Sequence, residues 1–216
     1  MTYQVVASHR TGSTLLNDYA LHYHNRFGFH ELFLDEPSSK LLENLSTEEK
    51  FDFLEYYKKQ DIHFTTKIFP YKIISEGYEE RLFEYLNGYK ILTIDRDPWD
   101  AFLSHSYQDA CNWKSTHRAP GINFIELNSF HIKIYKLKHF CQKWKTDFNF
   151  IKRLDVHHTF LYKDLTINNL KKYFDTNYDS PVRPSNLDYK SLAINYNEAK
   201  ELFDYEMYGY GNWNNN

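Results

Sequence analysis

Arg10, Thr11, Gly12, Ser13 and Thr14 put a guanidinium, a glycine and three hydroxyls into five consecutive positions. Those residue types, in that order, suit the binding of an anion. The stretch before them, YQVVAS at 3–8, reads as a buried strand, and a helix is expected over roughly 14–26. The first N–H groups of such a helix have no intrahelical partners, and the helix dipole adds partial positive charge beside them. Gly12 lets the backbone approach a ligand closely, and the hydroxyls add donors. The expected anion is phosphate or a group shaped like it; a ligand-free strand-to-helix turn is the alternative. The loop lacks both the first glycine and the lysine of G-x-x-x-x-G-K-[ST], so it is not a Walker loop.

A second junction repeats the arrangement. In ILTIDRDPWDAFLSHSYQ (91–108) a strand again runs into a helix, with Arg96 at the join and Ser104 eight positions later. Two helical turns and a little separate them, so an extended Arg96 and Ser104 can both reach one anion beside the sheet. Arg96 also reads as an ion-pair partner for Asp95, Asp97 or Asp100.

Taken together, the two junctions resemble the sulfotransferase superfamily. The first is similar to that family's 5′-phosphosulfate loop, [K/R]-[S/T]-G-[S/T]-T, and the second to its 3′-phosphate element, R-[D/N]-P with a serine eight residues on. FLYKDL (160–165) is similar to the family's RYEDL segment. The resemblance spans residues 3 to about 175, with the motifs in the family's order. His9 stands where many members have proline, and Lys163 where glutamate is common; neither change removes an anion donor. The style R-x-G-S-T-L-L is closer to the bacterial, carbohydrate and tyrosylprotein branches than to the cytosolic phenol enzymes.

The resemblance implies a three-layer, P-loop-like α/β domain spanning residues 1–216. It also implies transfer of a sulfuryl group from 3′-phosphoadenosine 5′-phosphosulfate (PAPS) to a hydroxyl or amine, releasing PAP, with no metal. A loose in-line transition state needs positioning and charge stabilisation, without a covalent enzyme intermediate. Arg10 is implied to hold the 5′-phosphosulfate and the charge developing on the leaving phosphate, with Thr11, Gly12, Ser13 and Thr14 completing the cradle. Arg96 and Ser104 are implied to hold the 3′-phosphate. The acceptor needs a base. In related carbohydrate and tyrosine enzymes this is a glutamate about twenty residues past the basic loop residue; Glu31 lies twenty-one past Arg10, and Glu36 twenty-six. Glu31 fits the spacing better, with a solvated loop carboxylate as its alternative; His30 is a further possible base. Lys67 is expected to face the donor or solvent, and Arg183 to close over the 3′-phosphate.

These residues need a scaffold that ends strands beside one another. Strand-like runs alternate with helical ones: DIHFTTKIF, YKILTID and HHTFLY against STEEKFDFLEYYKKQ, SEGYEERLFEYLNG, SFHIKIYKLKHFCQKWKTDF and KDLTINNLKKYF. Alternation of this kind predicts a mainly parallel sheet with helices on both faces. Residues 107–128 and 176–192 read as long loops. The formal charge of −3 gives no basic surface for nucleic acid, so any bound anion must be held by local donors. Aromatic residues make up 19% of the chain, which predicts a core and clefts built from rings. Cys111 and Cys141 are too few for a disulfide framework, and no Cys/His/carboxylate cluster has metal-ligand spacing. Without a signal-peptide pattern or an apolar run of membrane length, a soluble cytoplasmic protein is expected, with no nucleic-acid or membrane partner. Two rival functions remain: a nucleotide-dependent phosphotransferase, and a non-catalytic module binding sugars or peptides through the tyrosine-rich loops.

Overall fold

β1 (Tyr3–Val6) is buried along its whole length, because it lies in the middle of the sheet with a strand on either side. The computed structural model describes residues 2–25, 27–33, 42, 44–111, 126–182 and 187–209. Four more strands accompany β1: β2 (Gly28–Phe29), β3 (Thr65–Ile68), β4 (Lys90–Asp95) and β5 (Val156–Leu161). Their order is β2-β3-β1-β4-β5, and every pairing is parallel. In chain order the helices are α1 (Ser13–Tyr23), α2 (Thr47–Lys59), α3 (Pro70–Ser75), α4 (Glu79–Leu86), α5 (Pro98–Ala110), α6 (Leu137–Ile151), α7 (Ile167–Tyr173), α8 (Tyr189–Leu192) and α9 (Tyr196–Tyr208).

Alternation along the strands divides the core between two faces. Val5, Leu92 and Ile94 point to one face, against Leu16 and Tyr19 of α1 and Leu170 of α7. Val6, Ile68 and Ile91 point to the other, against Phe51 of α2, Leu82 of α4 and Phe150 of α6. This is the helix–sheet–helix layering expected from the sequence. A third cluster joins α5, α6 and α9 through Phe102, Phe140 and Phe203. The buried Gln4 amide adds a polar stitch between β1 and β3. Its Nε2 donates to the Phe64 carbonyl at 2.6 Å, and its Oε1 accepts the Thr66 N–H at 3.2 Å.

The chain leaves β1 toward the β2 side and leaves β4 toward the β5 side. The carboxyl ends of these two neighbouring strands therefore form a topological switch point, where open α/β sheets place their ligands. The Arg10 loop and the Arg96 junction both emerge there.

Several local signals match the observed elements. The Ser46/Glu49 capping box opens α2, and Pro98 occupies the first turn of α5 behind an Asp97 cap. Two helices differ from expectation. The run from Ser75 to Gly88 is helical only from Glu79, because Gly77 adopts φ +87° after α3 has already ended at Ser75. The helix expected over 129–148 starts in earnest at Leu137, after a 3₁₀ turn at Ile134–Lys136. Upstream, Phe130 forms a parallel bridge to Ala193, and the Asn195 amide bonds both the N–H and the carbonyl of Ile132 (2.8 and 3.1 Å). The alternation F-H-I-K-I serves that extended segment. Of the expected long loops, α5 reaches Ala110 and α8 occupies 189–192, while 112–125 and 183–186 lie outside the described residues. No helix among the described residues is long and apolar enough to cross a membrane.

Candidate functional site

The loop after β1 is shaped by two left-handed residues, Arg10 at φ +63° and Gly12 at φ +85°. Gly12 is required twice over. A Cβ there would lie 2.6 Å from Leu165 Cδ2 and 3.2 Å from the Tyr162 ring, in addition to the unfavourable φ. Gly12 is also the N-cap of α1, and no side chain caps that helix. The Thr11 hydroxyl turns inward and donates to the Ser8 carbonyl at 2.8 Å, so it braces the loop rather than lining it. Ser13 is buried in the first turn of α1.

Arg10 and Arg96 meet at this loop. The Arg10 Nη2 donates to Ser104 Oγ at 3.4 Å, and the Arg96 Nη1 donates to the Arg10 carbonyl. The Arg96 Nη2 reaches the Asp100 carbonyl at 3.3 Å, so the arginine engages backbone where ion pairing was the alternative reading. Its guanidinium lies 3.8 Å from the centroid of the Tyr162 ring. Both arginine Nε groups are buried without a hydrogen-bond partner among the described residues. Burial pulls both guanidinium pKa values down, and for Arg10 the nearby Arg96 charge acts in the same direction. Two cations held together and desolvated favour anionic company.

A second group adjoins the loop from β3. Lys67, its side chain only 1% exposed, forms an ion pair with Glu31 Oε1 and donates to Thr14 Oγ1 at 2.9 Å. Lys67 therefore faces the loop rather than solvent, and Glu31 is a paired carboxylate 24% exposed. His30 is exposed, with Nδ1 3.4 Å from Asn17 Nδ2. Glu36 and Arg183 lie outside the described residues.

Sequence reasoning gave no role to Tyr162 or to the residues of a neighbouring cavity. Tyr162 lies inside FLYKDL; it stacks on Arg96 and packs over Gly12, joining the third motif to the first two. The cavity, of about 560 Å³, opens between α5 and α6 beside the loop. His9, stacked on Phe69 with ring centroids 4.0 Å apart, and His105, next in chain to Ser104, form its loop side. Burial, reinforced by Lys143 on His9 and by Arg10 on His105, pulls their pKa values down to about 3 and about 4. Both imidazoles are therefore neutral at pH 7.

Asp147 of α6, fully buried, completes the cavity and accepts the Tyr71 N–H at 2.6 Å, capping α3 from outside. Burial pushes its pKa up from 3.8 to about 7, against the hydrogen bond. A carboxyl with a raised folded-state pKa binds more protons folded than unfolded between pH 4 and 7, so its contribution to stability falls as pH rises through that window. The two histidines act oppositely, losing stability as pH falls from about 6.5 toward 4. Asp147→Asn keeps the acceptor for Tyr71 and removes the ionisation. Local relaxation around the ionised carboxylate takes up part of the burial penalty, so the substitution should stabilise by about 2 kcal/mol at pH 8, or about 4–8 °C in melting temperature, and by almost nothing at pH 5. Melting curves at the two pH values test this; equal shifts at both would remove the titration from the explanation.

Among the described residues no group of three His, Cys, Asp or Glu is placed to hold a metal ion. No family model, curated protein or solved structure matches the chain.

Proposed function

We propose that this protein is a sulfotransferase that moves the sulfuryl group of PAPS to an acceptor hydroxyl or amine. The observation that carries the reading is the convergence of Arg10, Arg96 and Ser104 at the switch point between β1 and β4. A donor with two separate anionic ends suits two cationic junctions lying side by side. Arg10 and the first turn of α1 hold the 5′ end, and Arg96 with Ser104 holds the 3′-phosphate.

Lys67 is the pivot of the chemistry. In the free protein it bonds both Glu31 and Thr14. A phosphosulfate settling beside Thr14 competes for the same ammonium, which loosens Lys67 from Glu31 and leaves the carboxylate able to accept a proton. The acceptor oxygen then bonds to sulfur as the bridging sulfur–oxygen bond breaks. The electron pair leaves on the phosphate of PAP, beside Arg10 and Lys67, and the acceptor proton passes to Glu31.

Thermal-shift titration with PAP, AMP and ATP tests the reading. At 100 times its dissociation constant PAP should stabilise by about 2.7 kcal/mol, a shift of about 5–10 °C, with AMP far weaker. ATP with Mg²⁺ stabilising more than PAP would favour a phosphotransferase instead, and no response to any nucleotide would leave a non-catalytic module.

A further inference from the structure

We infer that the cleft between α5 and α6 is a saccharide site: a polyhydroxylated ring lies against Trp144 and presents its hydroxyls to His105 and Asp109. This inference rests on the sulfotransfer reading for its identification as the acceptor site, but not for the binding itself.

Position comes first. His9 immediately precedes Arg10, and His105 immediately follows Ser104, the partner of Arg10. The cleft these histidines line therefore abuts the proposed 5′ end of the donor, and the charge of Arg10 is felt at both rings.

The walls then decide the class of ligand. One side is aromatic: Phe140 and Trp144 sit one turn apart on α6, stacked with centroids 5.8 Å apart, and Tyr135, 76% exposed, stands at the edge. Aromatic faces are electron-rich and attract the polarised axial C–H bonds of a pyranose. Polar groups, among them His105 and Asp109 of α5, are set into a lining that is otherwise mostly apolar. Asp109, on α5, already bonds Lys133 and Lys136 at 2.7 Å each, which fixes its carboxylate toward the cleft rim. Asp147 is buried in the wall. Neutral imidazoles each carry one donor and one acceptor, matching hydroxyls, which are both. The several hydroxyls of a saccharide can meet such groups at several points, whereas a phenol offers one.

The test is calorimetric titration of the protein, with and without PAP, using cellobiose, maltose, di-N-acetylchitobiose and a uronic-acid disaccharide against 4-nitrophenol and N-acetyltyrosinamide. At least one disaccharide should bind tenfold or more tighter than either aromatic probe. Trp144→Ala should weaken that disaccharide by at least tenfold, while PAP affinity stays within twofold. Tyr135→Ala, at an exposed position that does not threaten folding, should weaken it by about threefold or more. The inference is overturned if no disaccharide binds, if an aromatic probe is preferred, or if neither variant weakens the sugar. Saccharide binding without PAP binding would uphold the cleft and overturn sulfotransfer; PAP binding without saccharide binding would do the reverse.

Discussion

Glu31→Gln should lower turnover by about 10²–10⁴-fold, the usual worth of a general base, while PAP affinity stays the same or rises slightly. Glutamine keeps the shape of the side chain and can still accept from Lys67, so the β3 lysine remains held. It cannot take the acceptor's proton. The Lys67–Glu31 pair sharpens the expectation about affinity: with the carboxylate neutralised, Lys67 is held by a weaker partner and turns more readily toward an anion beside Thr14. Measuring PAP release over a panel of sugar, phenol and tyrosyl-peptide acceptors, with nucleotide affinity measured in parallel, separates the two effects. Activity within threefold of wild type would refute the assignment. A dead Glu36→Gln with an active Glu31→Gln would move the base to Glu36.

Arg96→Ala should cost PAP about 10- to 150-fold in affinity, equivalent to about 1.5–3 kcal/mol for a charge-assisted bond, and erase most of the preference for PAP over AMP. AMP should also weaken, by a few fold. The reason is structural: the same guanidinium clamps the Arg10 carbonyl and stacks on Tyr162, so its removal loosens the loop proposed to hold the 5′ end. Ser104→Ala leaves that clamp in place but removes a partner of Arg10, so it should reduce PAP affinity more than AMP affinity. Equal binding of PAP and AMP to the wild type would be fatal to the 3′-phosphate assignment.

The ends of β1 and β4 were readable because each couples two signals of different kinds, an apolar run for the strand and a glycine or cap for the turn into the next helix. That places Arg10 and Arg96 each at the carboxyl end of a strand; that the two strands are neighbours is set by the pairing of β1 with β4. The partnership of Lys67 with Glu31 and Thr14 was not readable, since it joins three elements distant in sequence and no local pattern encodes it. Asp147 is a sharper case. Hydrophobicity alone would rotate α6 to bury Phe148, yet Phe148 is 47% exposed and the adjacent aspartate is buried. The compensating group is the Tyr71 N–H at the start of α3, a demand that arises only once the two helices are packed. The cavity was illegible for the same reason, because its walls come from the β1 loop, α5 and α6 together.

The central place of β1 bears on how the protein comes into being. Val5 must find Lys67 on one side and Leu92 on the other, and the Gln4 amide waits for Phe64 and Thr66. At ribosomal rates the first strand leaves the tunnel on the order of ten seconds before β4 has been made. Until β3 follows, Tyr3–Val6 has both edges unpaired, and its β4 edge stays open for the whole interval. Non-local pairing of this kind makes for slow folding and for a nascent chain that invites chaperones. The Arg10 loop, which is closed by Arg96 from the far side of β4, can acquire its shape only after that wait is over.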